Sequence, residues 1–244
     1  MSITLLSYTE FPLQHIGKIA GICWNSADTP EKNIARAKDC IISEHGRAME
    51  YVDLELVIET TSARCIRELY THIIGTSRLQ ESTRYVNMSD FGFYTPPEIS
   101  NNIAANTAYT DGITAIKNAY SFMVDNGIKK ENAANILPIG MDTKIVWKVN
   151  LRALVHFMNL RLCSRALLEI RELAKEIRSM LHDINAEWAW IADNLLVPKC
   201  EVDKFRNPLV CFCREKQCCG RHPSINDIVV VSKERYDAMS NGEI

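Results

Sequence analysis

The chain has 244 residues, enough for one large domain or two small ones with ample core. Hydrophobic residues make up 47% and charged residues 24%, an ordinary globular balance, and a formal net charge of −2 excludes the global basic field that gathers nucleic acid. No apolar run approaches the roughly 18 residues of a membrane span, and the segment from Met1 to His15 lacks both a basic n-region and a small-residue cleavage site, so a cytoplasmic protein is expected.

Ser2 to Tyr8 reads as a strand. Thr29 then caps a helix that opens with Pro30 and carries Ile34, Ala37, Cys40 and Ile41 at helical spacing. Val52 to Glu59 alternates apolar and acidic residues, the pattern of a half-exposed strand. Helical spacing returns from Ser62 to about His72, and Ile73 to Gln80, with Gly75, Thr76 and Ser77, reads as a loop. Arg84 to Tyr94 reads as extended and stops at Pro96-Pro97, and a helix is predicted from Ile99 to Val124, ended by Asn126-Gly127. Thr143 to Val149 is a β-branched and aromatic strand. Asn150 caps a long helix running to about Ile184, Glu187 to Leu196 forms another, and Pro198 closes the helical region. The sum is an α+β fold, a mostly antiparallel sheet flanked by long helices. The domain reading is a single α+β catalytic domain over 1–198 and a Cys-rich tail over 199–244.

Chemistry concentrates between Val149 and Arg161, where two arginines, a histidine and two asparagines interrupt a strongly apolar helix. Charge among so much Leu, Val, Phe and Met is costly without partners, and arginine suits a phosphate or a planar carbonyl edge. At about 100° per residue, Arg152, His156, Asn159 and Cys163 share one face, while Asn150, Arg161 and Arg165 lie roughly opposite. The helix therefore reads as lining a site for an anionic, nucleotide-like ligand; the plainer alternative is a surface helix whose arginines pair with Glu169 and Glu172. Upstream, Ser82 and Arg84 follow a Gly-containing loop and suit a phosphate, although a loop salt bridge is the commoner use of such a string.

Of nine cysteines, Cys23, Cys40, Cys65 and Cys163 are scattered among apolar residues as small hydrophobes. Cys200, Cys211, Cys213, Cys218 and Cys219 crowd the tail. An odd total without a signal peptide argues against a disulfide scaffold. The tail intervals are not paired C-x2-C, so no metal ligands are assigned. No P-loop, G-x-S-x-G, H-E-x-x-H or G-x-G-x-x-G is present, which removes the common nucleotide-binding and hydrolase classes.

In order, Glu50-Tyr51, Thr71-His72-Ile73 through Ser82-x-Arg84-Tyr85, Leu137-Pro138 and Asn150-x-Arg152 through Arg161 resemble the flavin-dependent thymidylate synthase family. The resemblance implies reductive methylation of dUMP at C5 with methylenetetrahydrofolate as carbon source, FAD as cofactor and NADPH as reductant, in a homotetramer with sites shared between subunits. It implies no membrane or nucleic-acid partner. Carried over, Ser82, Arg84, Arg161 and Glu68 would bind the nucleotide, with Arg161 and Ser82 at the reaction itself. His72, Asn150, Arg152, His156, Arg165, Arg78 and Tyr51 would address the flavin.

The chain also departs from the family pattern. Thr71 and Ile73 replace both arginines of an Arg-His-Arg motif, Tyr51 replaces a histidine, and Ala134 stands where a nucleotide-binding arginine is usual. Arg165 replaces another frequent histidine, and Arg78 lies in the altered loop; either could restore lost charge. Two alternatives follow. One is a homologue acting on another pyrimidine nucleotide such as dCMP, or giving hydroxymethylation. The other is a non-catalytic protein whose tail, with Lys204, Arg206, Arg214, Lys216 and Arg221, binds zinc or nucleic acid.

Overall fold

The computed structural model describes residues 1–207, 212–225, 238 and 241–242. Its frame is a four-stranded sheet in the order β1-β2-β4-β3, antiparallel throughout: β1 (Ser2–Tyr8), β2 (Asp53–Ser62), β3 (Thr76–Gln80) and β4 (Asp142–Asn150). Alternation sets its faces. Leu54, Leu56 and Ile58 of β2 and Ile145, Trp147 and Val149 of β4 are fully buried, while Glu55 pairs with Lys148 and Glu59 with Lys144 on the outer side. Thr60, at a positive φ of 56°, marks the bulge where the β2–β4 register shifts.

Helices cover the inner face. The first is α1 (Pro12–Cys23), followed by α2 (Pro30–Ile42), which is capped by Thr29 as its sequence predicts. Then come α3 (Ala63–Tyr70), a short α4 (Pro97–Ser100), α5 (Ile103–Asp125), a single turn α6 (Lys130–Ala133), α7 (Leu151–Arg161), α8 (Leu168–His182), α9 (Ala186–Asn194) and α10 (Lys199–Arg206). One large core joins the sheet to α1, α3, α7, α8 and α9. A smaller one gathers Met88, Phe91, Ile113, Tyr120, Ala133 and Met141 around α5. No helix among the described residues is long and apolar enough to cross a membrane.

The α+β class with an antiparallel sheet is as the sequence predicts, but four local readings are corrected. Ile73 to Gln80 is not all loop: Gly75, at a φ of +73°, turns the chain so that Thr76–Gln80 fills the free edge of β4. Arg84 to Tyr94 is turns rather than a strand, with only Phe93 bridging Met141; Asn87, Ser89, Asp90 and Gly92 are turn formers. The helix from Asn150 breaks at Leu162–Leu167, where Leu162, Ala166 and Leu167 all turn onto the core. Pro198 does not end the helices: it precedes α10, whose Val202 is fully buried. The helix α1 is not predicted by the sequence pattern, because Gly17 and Gly21 dilute it. A side chain at Gly17 would meet Asn33 O at 1.8 Å, so glycine is what lets α1 and α2 touch.

Candidate functional site

Where β4 hands over to α7, the chain opens a cleft of about 760 Å³, within the usual range for small-molecule sites. Asn150 ends the strand and caps the helix, its Oδ1 accepting from Ala153 N at 2.9 Å. Its backbone N–H donates to Gly75 O at 2.9 Å, and a Cβ at Gly75 would stand 2.6 Å from the Asn150 amide. Glycine at position 75 is thus required twice, by its φ and by this approach. The helix then sets Ala153 and Leu160 along the cleft, with Arg152 and His156 on one bank and Asn150 and Arg161 on the other. Members of both polar stripes, expected to face opposite ways, thus line a single groove, while Asn159, Cys163 and Arg165 border a different hollow.

Arg161 is the most tightly held cation. Its Nε donates to His72 Nε2 at 3.1 Å, Nη2 donates to Thr71 Oγ1 at 3.0 Å and to Glu68 O at 3.2 Å, and Nη1 pairs with the Glu68 carboxylate at 2.9 Å. It sits at the carbonyl end of α3, where the helix dipole favours a cation. Arg78 adds a second at the same end, donating to Tyr70 O at 2.7 Å and stacking over the Tyr70 ring. Since His72 Nε2 accepts, its proton sits on Nδ1. Burial, then the Coulombic influence of Arg161, His156 and Arg78, pushes the His72 pKa down to about 4, so His72 is neutral at pH 7. His72 is wedged edge-on against Phe157 at 5.1 Å and His156 at 5.6 Å, and Phe157 rests on the buried Trp147. This aromatic ladder runs from the core to the cleft and fixes the imidazole plane.

Arg152 is looser. It pairs with Glu50 at 2.6 Å, with side chains 57% and 42% exposed, an arrangement worth at most about 1 kcal/mol and easily exchanged for a ligand anion. Ile73, Ile74 and Leu160 supply an apolar lining. Beyond the same helix lies a second hollow of about 750 Å³, bordered by Arg152, His156, Arg161, Arg165, α10 and the tail.

Residues 4–185 match the family described as thymidylate synthase complementing protein. A flavin-dependent thymidylate synthase of Geobacter sulfurreducens is 31% identical over 194 residues, covering 75% of this chain and 83% of that protein. The chain belongs to the flavin-dependent thymidylate synthase family. Its fold is shared with that family's enzyme from Helicobacter pylori, solved with FAD and dUMP, at a TM-score of 0.64 and 21% identity over 80% of this chain and 99% of that one. A UMP/dUMP methylase from Streptomyces cacaoi bound with 5-Br dUMP superposes with a TM-score of 0.69 at 18% identity, covering 80% and 96%.

Of the residues that the family resemblance singles out, one cleft gathers His72, Asn150, Arg152, His156 and Arg161, with Glu68 and Arg78 packed at its edge. Tyr51 does not join them. It is 55% exposed, and the neighbouring Glu50 lines the cleft instead. Ser82 and Arg84 also stand apart from the cleft of their own chain. Ser82 Oγ accepts from Arg84 N at 3.3 Å, and Arg84 pairs with Glu131 at 3.0 Å with its side chain 64% exposed. Arg165 borders the second hollow and pairs with Glu215 of the tail. The plainer pairing with Glu169 and Glu172 is also absent: Glu169 is buried on Ser62, and Glu172 meets Lys175. Sequence reasoning missed Glu50 and Thr71 as cleft residues, though both sit in motifs it quoted. The adjacency Glu50-Tyr51 hid which of the two turns inward from the 3-10 turn at Gly46–Tyr51.

Proposed function

We propose that this chain is a flavin-dependent thymidylate synthase that methylates dUMP reductively at C5, with methylenetetrahydrofolate as carbon source and NADPH as reductant. The observation that carries the reading is the Arg161–His72 pair, held in an apolar-floored cleft within the segment that matches the family. The cleft residues suit FAD: Ile73, Ile74 and Leu160 offer apolar surface to a planar ring, while Arg152, His156 and Asn150 offer polar groups to its anionic and carbonyl parts. When bound, FAD supplies the hydride relay between NADPH and the folate-derived carbon.

The chain's own residues divide the remaining work. We assign Arg161 to the pyrimidine carbonyl, where a fixed cation stabilises the charge that develops as C5 becomes nucleophilic. Glu68, Thr71 and His72 hold the guanidinium in one orientation, so little reorganisation accompanies the reaction. Thr71, standing where the family motif has arginine, serves here as an acceptor for Arg161. Arg152 releases Glu50 to meet a phosphate or carbonyl, and His156 donates beside it. Ser82 and Arg84 we assign to the nucleotide in the cleft of a neighbouring subunit. Exposed Ile73, Ile74, Leu79, Ile103 and Phe122 support association.

The purified protein is expected to be yellow and to convert dUMP to dTMP, read by product mass. Product from UMP or dCMP but not from dUMP overturns the substrate, and no flavin uptake overturns the reading altogether. Arg161→Ala is expected to lower kcat/KM by about 100-fold or more. Arg84→Ala and Arg161→Ala, each inactive alone, are expected to regain activity in about a quarter of sites when co-assembled, because a shared site needs one residue from each subunit. Absence of any recovery rejects the shared arrangement.

A further inference from the structure

The second hollow, beyond α7, is walled by that helix, by α10 and by tail residues 212–215. The family match spans residues 4–185, so α10 and the tail wall lie outside the matched segment. A volume of about 750 Å³ is that of a small-molecule site. Met49, Val155, Leu160 and Pro198 give the hollow an apolar lining, and the Phe212 ring lies 5.5 Å from the Arg214 guanidinium at its edge.

Charge on this wall is unbalanced. Arg152, Arg161, Arg165, Lys199, Arg206 and Arg214 border the hollow, and among the described residues Glu44, Asp203 and Glu215 are its carboxylates. Arg152 and Arg161 are answered from outside it, by Glu50 and Glu68. The other cations share what remains. Arg165 meets Glu215, Arg206 meets Glu44 at 2.6 Å, and Asp203 serves both Lys199 and, at 3.8 Å, Arg214. Arg206 is the most deeply set of these, with its side chain 19% exposed, yet its guanidinium is incompletely satisfied: the buried Nε–H has no acceptor among the described residues. An unmet buried donor carries a desolvation penalty, which a turn of the guanidinium towards an oxygen in the hollow removes. The Arg165 and Glu215 side chains are both about half exposed, so their pair is weak and exchanges readily for a ligand anion.

We propose that this hollow is a second ligand site, for an organic molecule of nucleotide size that carries two or more anionic groups, phosphate or carboxylate. Its body rests on Met49, Val155 and Leu160. One anionic group takes the place of Glu215 on Arg165, and another draws in Arg206 and Arg214, whose guanidinium forks suit phosphate and carboxylate alike. Only ion pairs are exchanged, and no covalent step is involved. The naming of candidates rests on the synthase reading given above: NADPH carries phosphates, and a folate carries glutamyl carboxylates. Arg152, His156, Leu160 and Arg161 line both the hollow and the cleft, so a co-substrate seated here abuts the place assigned to the flavin.

The test is a calorimetric titration of the full-length chain with FAD and dUMP present in excess, so that the cleft is filled. The probes are NADP+, which has no hydride to give, and polyglutamylated folate, which has no carbon to transfer. At least one is expected to bind, more weakly as salt rises, and whichever binds identifies the source of the anionic groups. Arg206→Lys keeps a cation for Glu44 but loses the fork, and Arg214→Gln alters an exposed side chain. Each is expected to raise the dissociation constant about tenfold, with flavin uptake matching that of the unaltered chain. Failure of both probes to bind overturns the proposal. So does binding that neither variant weakens, which places the ligand elsewhere. A chain that takes up no flavin, yet binds a probe with this dependence on Arg206 and Arg214, overturns the synthase reading and leaves the second site standing.

Discussion

His72 carries the clearest residue-scale consequence. It is 7% exposed, accepts from Arg161, and has its pKa lowered from 6.5 to about 4 by burial and by neighbouring cations. A histidine whose folded pKa is depressed binds its proton more readily when unfolded, so folding stability falls as pH drops. The loss begins near pH 6.5, is complete near pH 4, and amounts to about 3 kcal/mol. His72→Gln keeps an acceptor for Arg161 but does not titrate. The difference in urea midpoint between His72→Gln and the unaltered chain is therefore expected to change across that window and to stay level above it; a constant difference would reject the assignment. At this scale the sequence exposed residue types but not partners. Asn150, Arg152, His156 and Arg161 were legible because they share one segment of helical spacing and a family pattern. The hydroxyl of Thr71 read as a lost charge, and only the fold reveals that it accepts from Arg161. Ser82 and Arg84 read as neighbours of Arg161 because a motif carries no information about which cleft its loop faces.

At the scale of elements, periodicity found what packing obeys and missed what a single distant contact decides. The inward faces of β2 and β4 alternate strictly, so both strands were legible, as were the caps at Thr29 and Asn150. The start of α1 was not. Phe11 offers no cap side chain, and the helix is instead begun by Glu187 of α9, whose carboxylate accepts from Leu13 N at 2.7 Å, Gln14 N at 3.1 Å and Gln14 Nε2 at 2.6 Å. A negative charge there also meets the positive end of the α1 dipole. Glu187→Ala leaves buried amides without an acceptor and is expected to cost about 1–3 kcal/mol in urea unfolding. Glu187→Gln, which keeps an acceptor without the charge, is expected to lose less. Equal losses would show that packing of the side chain, not acceptance at the helix start, is what matters. The break between α7 and α8 was illegible for a related reason: the segment contains neither Gly nor Pro, and burial of Leu162, Ala166 and Leu167 sets it.

For the whole molecule, the decisive question is where the family domain stops and the tail begins. Composition places the change at Pro198, where cysteine and charge become dense, yet the packing places α10 with the core. Asn159 of α7 donates to Leu195 O at 3.0 Å and to Val197 O at 2.8 Å, tying the approach to α10 into the site helix. Within α10, Val202 is fully buried, Phe205 meets Trp190 edge-on at 5.8 Å, and Arg206 reaches Glu44 at 2.6 Å. We therefore set the boundary near Asn207, and two truncations test it. Removing everything after residue 207 takes away the cysteine cluster of residues 211–219 but leaves the core contacts of α10, so the melting temperature is expected to stay within a few degrees of the full chain. Removing everything after 198 also strips Val202 and Phe205 from the core, at about 2–4 kcal/mol, or roughly 5–15 °C for a domain of this size. Nearly equal melting temperatures for the two truncations would return the boundary to Pro198. They would also mean that α10 belongs with the tail as a separate unit resting on the site helix.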